Sequence, residues 1–299
     1  MAPHTRPWPL PEPEATTVHH VSDLHVGYRP WSYGECDHMK ADIAQGLIPD
    51  VDAFVLTGDI TDDATATEDT YAKTWMTEVG KDKPALWVPG NHDLRDPIGT
   101  RAHWETRYGR PGNDMVDLPG IRLVSFTADI NTWKKVGDAD SHWDIPEATW
   151  EWMSQQVNGS TNPVVLCCHY PPWELEPDDD WCIQNKATMA QFITDHPSVV
   201  GMLVGHMHWE ITNPKSNALV SIGNRTNFPV IMGVSAMLSI SGLVQDQSAR
   251  LPSISKYVTF LEDRWEIRCR LHGPHAWGGP NGYRVTTLHL DTGLTENSM

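Results

Sequence analysis

From residue 16 onwards, short runs of apolar, β-branched residues alternate with longer stretches of helical periodicity. The short runs end abruptly in Gly, Asp, Asn or His, which is typical of buried strands followed by tight turns. Strands are therefore predicted at residues 17–22, 53–57, 85–88, 122–126, 164–168 and 199–204. Helices are predicted between them, at 37–46, 66–79, 100–108, 146–157 and 186–196. This alternation predicts a series of βαβ units.

The helical periodicity stops after residue 217, and the rest of the chain has the pattern of strands. These are predicted at 218–222, 229–234, 256–261, 265–271 and 284–290, with a turn at Glu262 and Asp263. We expect one α/β domain over residues 16–299, with mixed strands, helices outside them and a β-rich part at 210–299. Residues 1–15 contain Pro3, Pro7, Pro9, Pro11 and Pro13, which predicts an extended arm outside the core.

The charge balance excludes several classes of partner. The chain of 299 residues has 22 Lys and Arg against 39 Asp and Glu, a formal net charge of −17. Proteins that bind duplex nucleic acid or an anionic membrane usually present a basic face, so neither partner is expected. Two kinds of partner stay open: another protein that binds the Pro-rich arm, and further copies of this chain.

A cytoplasmic location is expected from what the sequence lacks. No run approaches the ~18 consecutive apolar residues that span a bilayer, and the first residues lack the apolar segment of a secretory signal. The five cysteines are an odd number, with Cys167 and Cys168 adjacent in an apolar run, which does not suit a disulfide framework.

Polar clusters follow the predicted strands at their carboxyl ends, where open α/β sheets place their ligands. They are Asp23-Leu24-His25, Gly58-Asp59, Gly90-Asn91-His92-Asp93, His169 and Gly205-His206-Met207-His208. Taken singly, Asp-x-His and Gly-Asp are ordinary turn sequences. The last cluster is more informative, because alternate residues at a strand end face the same side. Each of these predicted strands thus ends in side chains that can bind metal.

The ordered series DxH, GD, GNHD, H and GHxH resembles the signature of the calcineurin-like metallophosphoesterase superfamily over residues 17–209. The resemblance implies a four-layer αββα sandwich of two mixed sheets flanked by helices. It also implies a centre of two metal ions bridged by Asp59. One ion would be held by Asp23, His25, Asp59 and His208, and the other by Asp59, Asn91, His169 and His206. Such ligands suit manganese, iron or zinc.

The same resemblance implies the chemistry. Two ions lower the pKa of a bound water, so that the resulting hydroxide attacks phosphorus. His92, beside Asn91, would donate a proton to the leaving group or to a phosphoryl oxygen. Asp59, Asn91 and His92 are therefore the predicted catalytic residues. For Asp93 two roles are open: it orients His92, or it caps the following helix.

Departures from related branches narrow the expected activity. Purple acid phosphatases carry a tyrosine ligand where this chain has Asp62, and the serine/threonine phosphatases have an arginine that GDITDD lacks. GNHD followed by Arg95, together with Pro171 and Pro172, is similar to the bacterial class III cyclic-nucleotide phosphodiesterases and glycerophosphodiesterases. Those proteins often have paired histidines where this chain has Cys168 and His169.

The predicted function is hydrolysis of small phosphodiesters. A phosphomonoesterase or nuclease using the same site is an alternative, and a protein-interaction scaffold is an alternative of another class. Arg29, Arg95 and Trp209 are candidate substrate contacts, because each lies just beyond a predicted ligand motif.

Overall fold

The computed structural model describes residues 15–28, 32–80, 82–94, 101–128, 144–172, 183, 185–208, 214–233, 254–272, 276–277 and 285–298. Most of the predicted arm and the candidate substrate contacts Arg29, Arg95 and Trp209 lie outside these residues. Within the described ranges no helix is both long enough and apolar enough to cross a membrane.

The helices and strands follow one another along the chain in an order close to the predicted one. The first half contains β1 (Thr16–Val21), α1 (Ser32–Ala44), β2 (Ala53–Thr57), α2 (Ala66–Val79), β3 (Ala85–Val88), α3 (Arg101–Tyr108), β4 (Asp114–Leu118), β5 (Ile121–Ser125) and α4 (Glu147–Asn158). The second half contains β6 (Val164–Cys167), α5 (Lys186–Asp195), β7 (Val199–Val204), a 3₁₀ turn (Pro214–Ser216), β8 (Asn217–Ile222), β9 (Arg225–Met232), β10 (Ile254–Phe260), β11 (Arg264–Leu271), β12 (Ala276–Trp277), β13 (Val285–His289) and β14 (Thr295–Ser298).

These strands form two mixed sheets. Sheet one has the order β14-β13-β11-β10-β1-β2-β3, with β12 paired to β11, and sheet two has the order β4-β5-β6-β7-β9-β8. The pairs β1–β2, β2–β3, β5–β6, β6–β7 and β7–β9 are parallel. Because parallel strands end at the same edge of a sheet, the residues after β1, β2 and β3 lie along one edge. Those after β6 and β7 share the corresponding edge of sheet two.

Alternation along β2 shows how sheet one is covered on both faces. Ala53 and Val55 belong to a buried core that also contains Leu203 of sheet two, so this core lies between the sheets. Phe54 and Leu56 belong to a second core with the buried residues of α1, α2 and α3. Successive side chains of a strand point to opposite faces, so sheet one is packed between sheet two and these helices.

Sheet two is covered in the same way. Val165 and Cys167 of β6 face the core between the sheets. Val164 and Leu166 belong to a third core with the buried residues of α4 and α5. The four layers are therefore α1–α3, sheet one, sheet two and α4–α5, which confirms the predicted αββα sandwich.

Local sequence sets several element boundaries. Helix α2 begins after Thr65, whose side chain accepts from the backbone N–H of Glu68 while Glu68 accepts from Thr65, a reciprocal capping box. Helix α4 begins directly after Pro146, one residue later than predicted. Helix α1 starts at Ser32, earlier than the predicted residue 37, and β4, β12 and β14 were not predicted. Strand β12 lies within the Gly/Pro-rich stretch at 273–282.

Candidate metal centre

The edges of the two sheets bring together all the side chains predicted as metal ligands. Sheet one supplies residues after β1, β2 and β3, and sheet two supplies residues after β6 and β7. In that order they are Asp23 and His25, Asp59, Asn91, His169, and His206 and His208. Each is buried. Neither sheet alone contains a complete set.

The backbone at these strand ends is strained in a consistent way. The residues with positive φ include Asp23 at 53°, His25 at 43°, Asp59 at 50°, His206 at 76° and His208 at 47°. Left-handed conformations cost non-glycine residues roughly 1–3 kcal/mol each and persist where the surroundings impose them. At these strand ends the left-handed conformations direct five acidic or imidazole side chains toward the same region, which indicates a functional site.

A first group of four residues surrounds one position. Asp23, His25, Asp59 and His208 each place a ligand atom within 4.8 Å of the others. The Nε2 atoms of His25 and His208 are 2.9 Å apart. Oδ1 of Asp23 is 3.1 Å from Nε2 of His208, and Oδ2 of Asp59 is 3.7 Å from Nε2 of His25.

A second group surrounds a neighbouring position. Asp59, His169 and His206 place ligand atoms within 4.8 Å of one another. Nε2 of His169 is 3.1 Å from Oδ1 of Asn91, 3.1 Å from Nδ1 of His206 and 3.3 Å from Oδ2 of Asp59. Asp59 thus belongs to both groups, through the same oxygen.

The atoms that meet here fit metal ions. Oδ2 of Asp59 is buried and has no hydrogen-bond partner among the described residues. Nδ1 of His169 lies 2.6 Å from the carbonyl oxygen of Thr57, which can only accept, so Nδ1 donates and Nε2 presents its lone pair when the ring is neutral. Lone pairs of nitrogen and oxygen therefore face one another, an arrangement that a cation between them would satisfy.

The pKa values of the ligand residues also indicate that the site favours a positive charge. Burial would lower the pKa of His169, but the carboxylates of Asp59 and Asp23 and the carbonyl of Thr57 raise it to about 9. Burial would raise the pKa of Asp59, but interaction with His169 and His92 holds it well below its usual value. The pKa of His206 falls to about 3, chiefly because of burial and then because of the charge on His169. A proton on His169 thus offsets the carboxylates when ions are absent.

Asp62 is a site residue that the sequence analysis did not assign. Nδ1 of His25 donates to its carboxylate at 3.0 Å, and Nδ1 of His92 donates to its backbone carbonyl at 2.7 Å. Burial would raise the pKa of Asp62, but the hydrogen bonds from His25 and His92 lower it. The bond through Nδ1 fixes the orientation of the His92 ring. The sequence signal for Asp62 was its place three residues after Asp59, in the same loop.

Asp93 makes hydrogen bonds that neither of its two predicted roles describes. Its Oδ1 accepts from the backbone N–H groups of Thr61 at 2.9 Å and Ile60 at 3.0 Å, and its Oδ2 accepts from Gly90 at 2.9 Å. Burial and the nearby charge of Asp59 raise its pKa to about 6. Asp93 fastens the loop after β2 to the loop after β3, and Asp62 is the residue that orients His92.

The fold and the site together define a metallophosphoesterase. Residues 16–210 match the family model described as calcineurin-like phosphoesterase. The chain belongs to this family, which confirms the predicted enzyme class.

Relatives agree with this assignment at low identity. The chain is 23% identical over 176 residues to a 3',5'-cyclic-nucleotide phosphodiesterase of Nostoc sp., a match that covers 57% of this chain and 61% of that protein. It is 26% identical over 207 residues to a probable glycerophosphodiester phosphodiesterase of Arcobacter nitrofigilis, covering 63% of this chain and 70% of that protein. The first match spans less than two thirds of the relative.

The fold is similar to that of a solved structure. A dimetal phosphatase from Danio rerio superposes with a TM-score of 0.64 at 14% identity, and the match covers 92% of this chain and 99% of that one. At this identity the likeness bears on the fold alone.

Proposed function

We propose that this protein hydrolyses small phosphodiesters, of the cyclic-nucleotide or glycerophosphodiester kind, with two divalent metal ions. The observation that carries the proposal is the position of Asp59, whose buried Oδ2 faces both groups of nitrogen and oxygen ligands. Pairs of ions about 3.5–4 Å apart serve in-line displacement at phosphorus in many phosphatases and nucleases.

The proposed ligands divide between the two ions as the two groups do. Asp23, His25, Asp59 and His208 hold one ion, and Asp59, Asn91, His169 and His206 hold the other. The mixture of imidazole and oxygen ligands suits manganese, iron or zinc. When bound, the ions supply Lewis acidity to the phosphoryl oxygens and to water.

The chain's own residues contribute orientation and a proton. His92 is held through Nδ1 by the carbonyl of Asp62, and its side chain is 17% exposed, so it can reach a bound ester. We assign it proton donation to the leaving oxygen, which is worth roughly 10²–10⁴ in rate. The backbone N–H of His92 donates to Oδ1 of Asp59 at 2.8 Å, which fixes the donor relative to the bridging carboxylate.

Charge supports a small substrate. Two divalent ions more than offset the carboxylates of Asp23 and Asp59, so the centre attracts an anionic ester locally. The net charge of −17 disfavours long polyanions that track a basic surface. Two of the relatives are named as phosphodiesterases of small esters. Arg29, Arg95 and Trp209 stay predictions as substrate contacts.

The test is turnover of matched aryl phosphate monoesters and diesters by protein reconstituted with manganese, iron or zinc, with metal content measured on the same sample. We expect the diester to be hydrolysed faster. A faster monoester would contradict the substrate class and favour a phosphomonoesterase. Faster cleavage of a single-stranded oligonucleotide would favour a nuclease. If protein with both metal ions bound hydrolysed none of these esters, the alternative of a protein-interaction scaffold would be favoured.

A further inference from the structure

Three buried polar side chains form a row on the inner face of sheet one, next to the metal centre. They are Lys256 on β10, His20 on β1 and Thr57 at the end of β2, and none is more than 1% exposed. The residue two positions away in each strand faces the same side and belongs to the apolar core between the sheets. Those neighbours are Val258, Val18 and Val55. Burying polar groups in such a core costs free energy unless they are hydrogen-bonded, so the row requires an explanation.

Thr57 connects this row to sheet two through its backbone. Its carbonyl oxygen accepts from Nδ1 of His169 at 2.6 Å and from the hydroxyl of Ser22 at 3.1 Å. The first bond fixes both the tautomer and the ring direction of His169. A ring held in this way presents Nε2 to Asp59 and Asn91.

The side chain of Thr57 is held in turn by His20. Its hydroxyl lies 2.8 Å from Nε2 of His20. Burial and the charge of Lys256 lower the pKa of His20 to about 3, so this ring is neutral and adds no positive charge beside the centre. Lys256 donates to the carbonyl of Ser216 at 2.8 Å and to Oδ1 of Asn217 at 2.6 Å, which joins sheet one to the start of β8 in sheet two.

Thr57 stands where the chain leaves β2 for a strained turn. The next two residues, Gly58 and Asp59, have φ values of 90° and 50°. A Cβ on Gly58 would lie 2.5 Å from Nδ1 of His169, so the turn and the ring are closely packed. A small displacement of Thr57 would therefore be transmitted to both His169 and Asp59.

We propose that Thr57 and His20 are positioning residues that hold the imidazole of His169 in the orientation needed for the second ion. This inference rests on the proposed metal centre. The bond between the Thr57 hydroxyl and His20 fixes the Thr57 carbonyl, and the carbonyl fixes His169. Outer partners of metal-binding histidines typically change metal affinity about 10–100-fold when they are removed.

The test compares Thr57→Val, which has the same shape without the hydroxyl, with Thr57→Ser, which keeps the hydroxyl. The metal-free protein is titrated with Co²⁺ alone, and visible absorption and bound cobalt are measured together with thermal unfolding. We expect Thr57→Val to weaken the second cobalt about 10–100-fold, to alter its absorption and to leave the first unchanged. Thr57→Ser restores the second site, and His20→Phe behaves as Thr57→Val.

Several outcomes overturn the proposal. If Thr57→Val bound both ions with wild-type affinity, the Thr57 hydroxyl would have no part in positioning His169. Equal weakening of both ions, or failure of Thr57→Ser to restore binding, would indicate a general loss of structure. Fewer than two cobalt ions in the wild type would overturn both this inference and the proposed centre. Failure of the cobalt-loaded wild type to hydrolyse any ester would overturn the proposed function alone.

Discussion

Oδ2 of Asp59 lies 3.3 Å from Nε2 of His169, although Asp59 follows β2 in sheet one and His169 follows β6 in sheet two. A second contact also joins the two sheets, because the backbone N–H of His206, after β7, donates to Oδ1 of Asp23, after β1, at 3.1 Å. The candidate centre therefore exists only when the two sheets are packed together. Loss of the packing between the two sheets should therefore disrupt both groups of ligands.

Replacing Asp59 by Asn should affect both ions. Asn retains an oxygen but loses the charge, and the ions' charge stabilisation is worth several kcal/mol. We expect kcat/KM to fall by about 10³-fold, with less than two ions bound per chain. The matched control is Asp117→Asn, an exposed carboxylate on β4 that pairs with Arg122. Wild-type turnover of Asp59→Asn at full metal occupancy would exclude a bridging role.

Replacing His92 by Ala should separate proton donation from metal binding. His92 contacts Asp62 and is in neither of the two groups assigned to the ions. We expect both ions to remain bound and the rate to fall roughly 10²–10⁴-fold for esters with poor leaving groups, and much less for activated aryl esters. His38→Ala serves as the control, because His38 is 47% exposed and pairs with Glu35 within α1. An equal loss for all leaving groups would rule out donation to the leaving oxygen.

Removal of the ions should destabilise the folded protein. Ligands drawn from both sheets bind ions in the folded state and not in the unfolded chain, so stability rises with ion concentration. At an ion concentration 100 times Kd the gain is about 2.7 kcal/mol per site. The measurement is Tm with chelator and after titration with Mn²⁺ or Zn²⁺. Asp59→Asn should show a much smaller rise, and an equal rise in that variant would place the stabilising ions elsewhere.

Because of Lys256, the free energy of unfolding should change with pH in the alkaline range. Burial lowers its pKa to about 8 from an ordinary 10.5. Between these values the unfolded chain binds a proton that the folded protein does not, so stability from this group rises as pH increases from 8 to 10.5. A lowering of this size corresponds to about 3 kcal/mol.

Denaturant unfolding across that pH range tests this expectation. The free energy of unfolding of the wild type minus that of Lys256→Met should increase with pH. Lys83→Met is the control, because Lys83 is partly exposed and pairs with the exposed Asp50. A pH-independent difference for Lys256→Met would mean that the buried amine titrates near its ordinary value.

Strands with an apolar pattern were predicted well, and those without it were missed. The strands β2, β3 and β7 occur at their predicted bounds, because their buried residues form continuous apolar runs. Strand β14, by contrast, has the sequence Thr-Glu-Asn-Ser, and all of its residues are exposed. Its strand conformation comes from backbone pairing with β13 at the edge of sheet one. Edge pairing of this kind leaves little hydrophobic signal in the sequence.

The candidate ligands could be predicted because they lie in strand-end motifs that together resemble the signature of the calcineurin-like metallophosphoesterases. The supporting residues could not. Thr57 and His20 carry no motif that separates them from ordinary strand residues, and Asp62 is marked only by its place three residues after Asp59. The bonds of Asp93 to two loops were not among the roles predicted for it. Their functions depend on distances across loops and across sheets, such as the 2.8 Å between Thr57 and His20.

The sequence by itself determined the family, the order of most strands and helices, and the chemical types of the candidate ligands, since these follow from local periodicity and short motifs. Only the tertiary structure decided which oxygen of Asp59 faces both groups, which nitrogen of His169 is available, and which carbonyl orients His92. The physical reason is that hydrogen-bond direction is fixed by neighbours distant in the chain. Thr57 and His169, 112 residues apart, meet only because two sheets bury their apolar faces against each other.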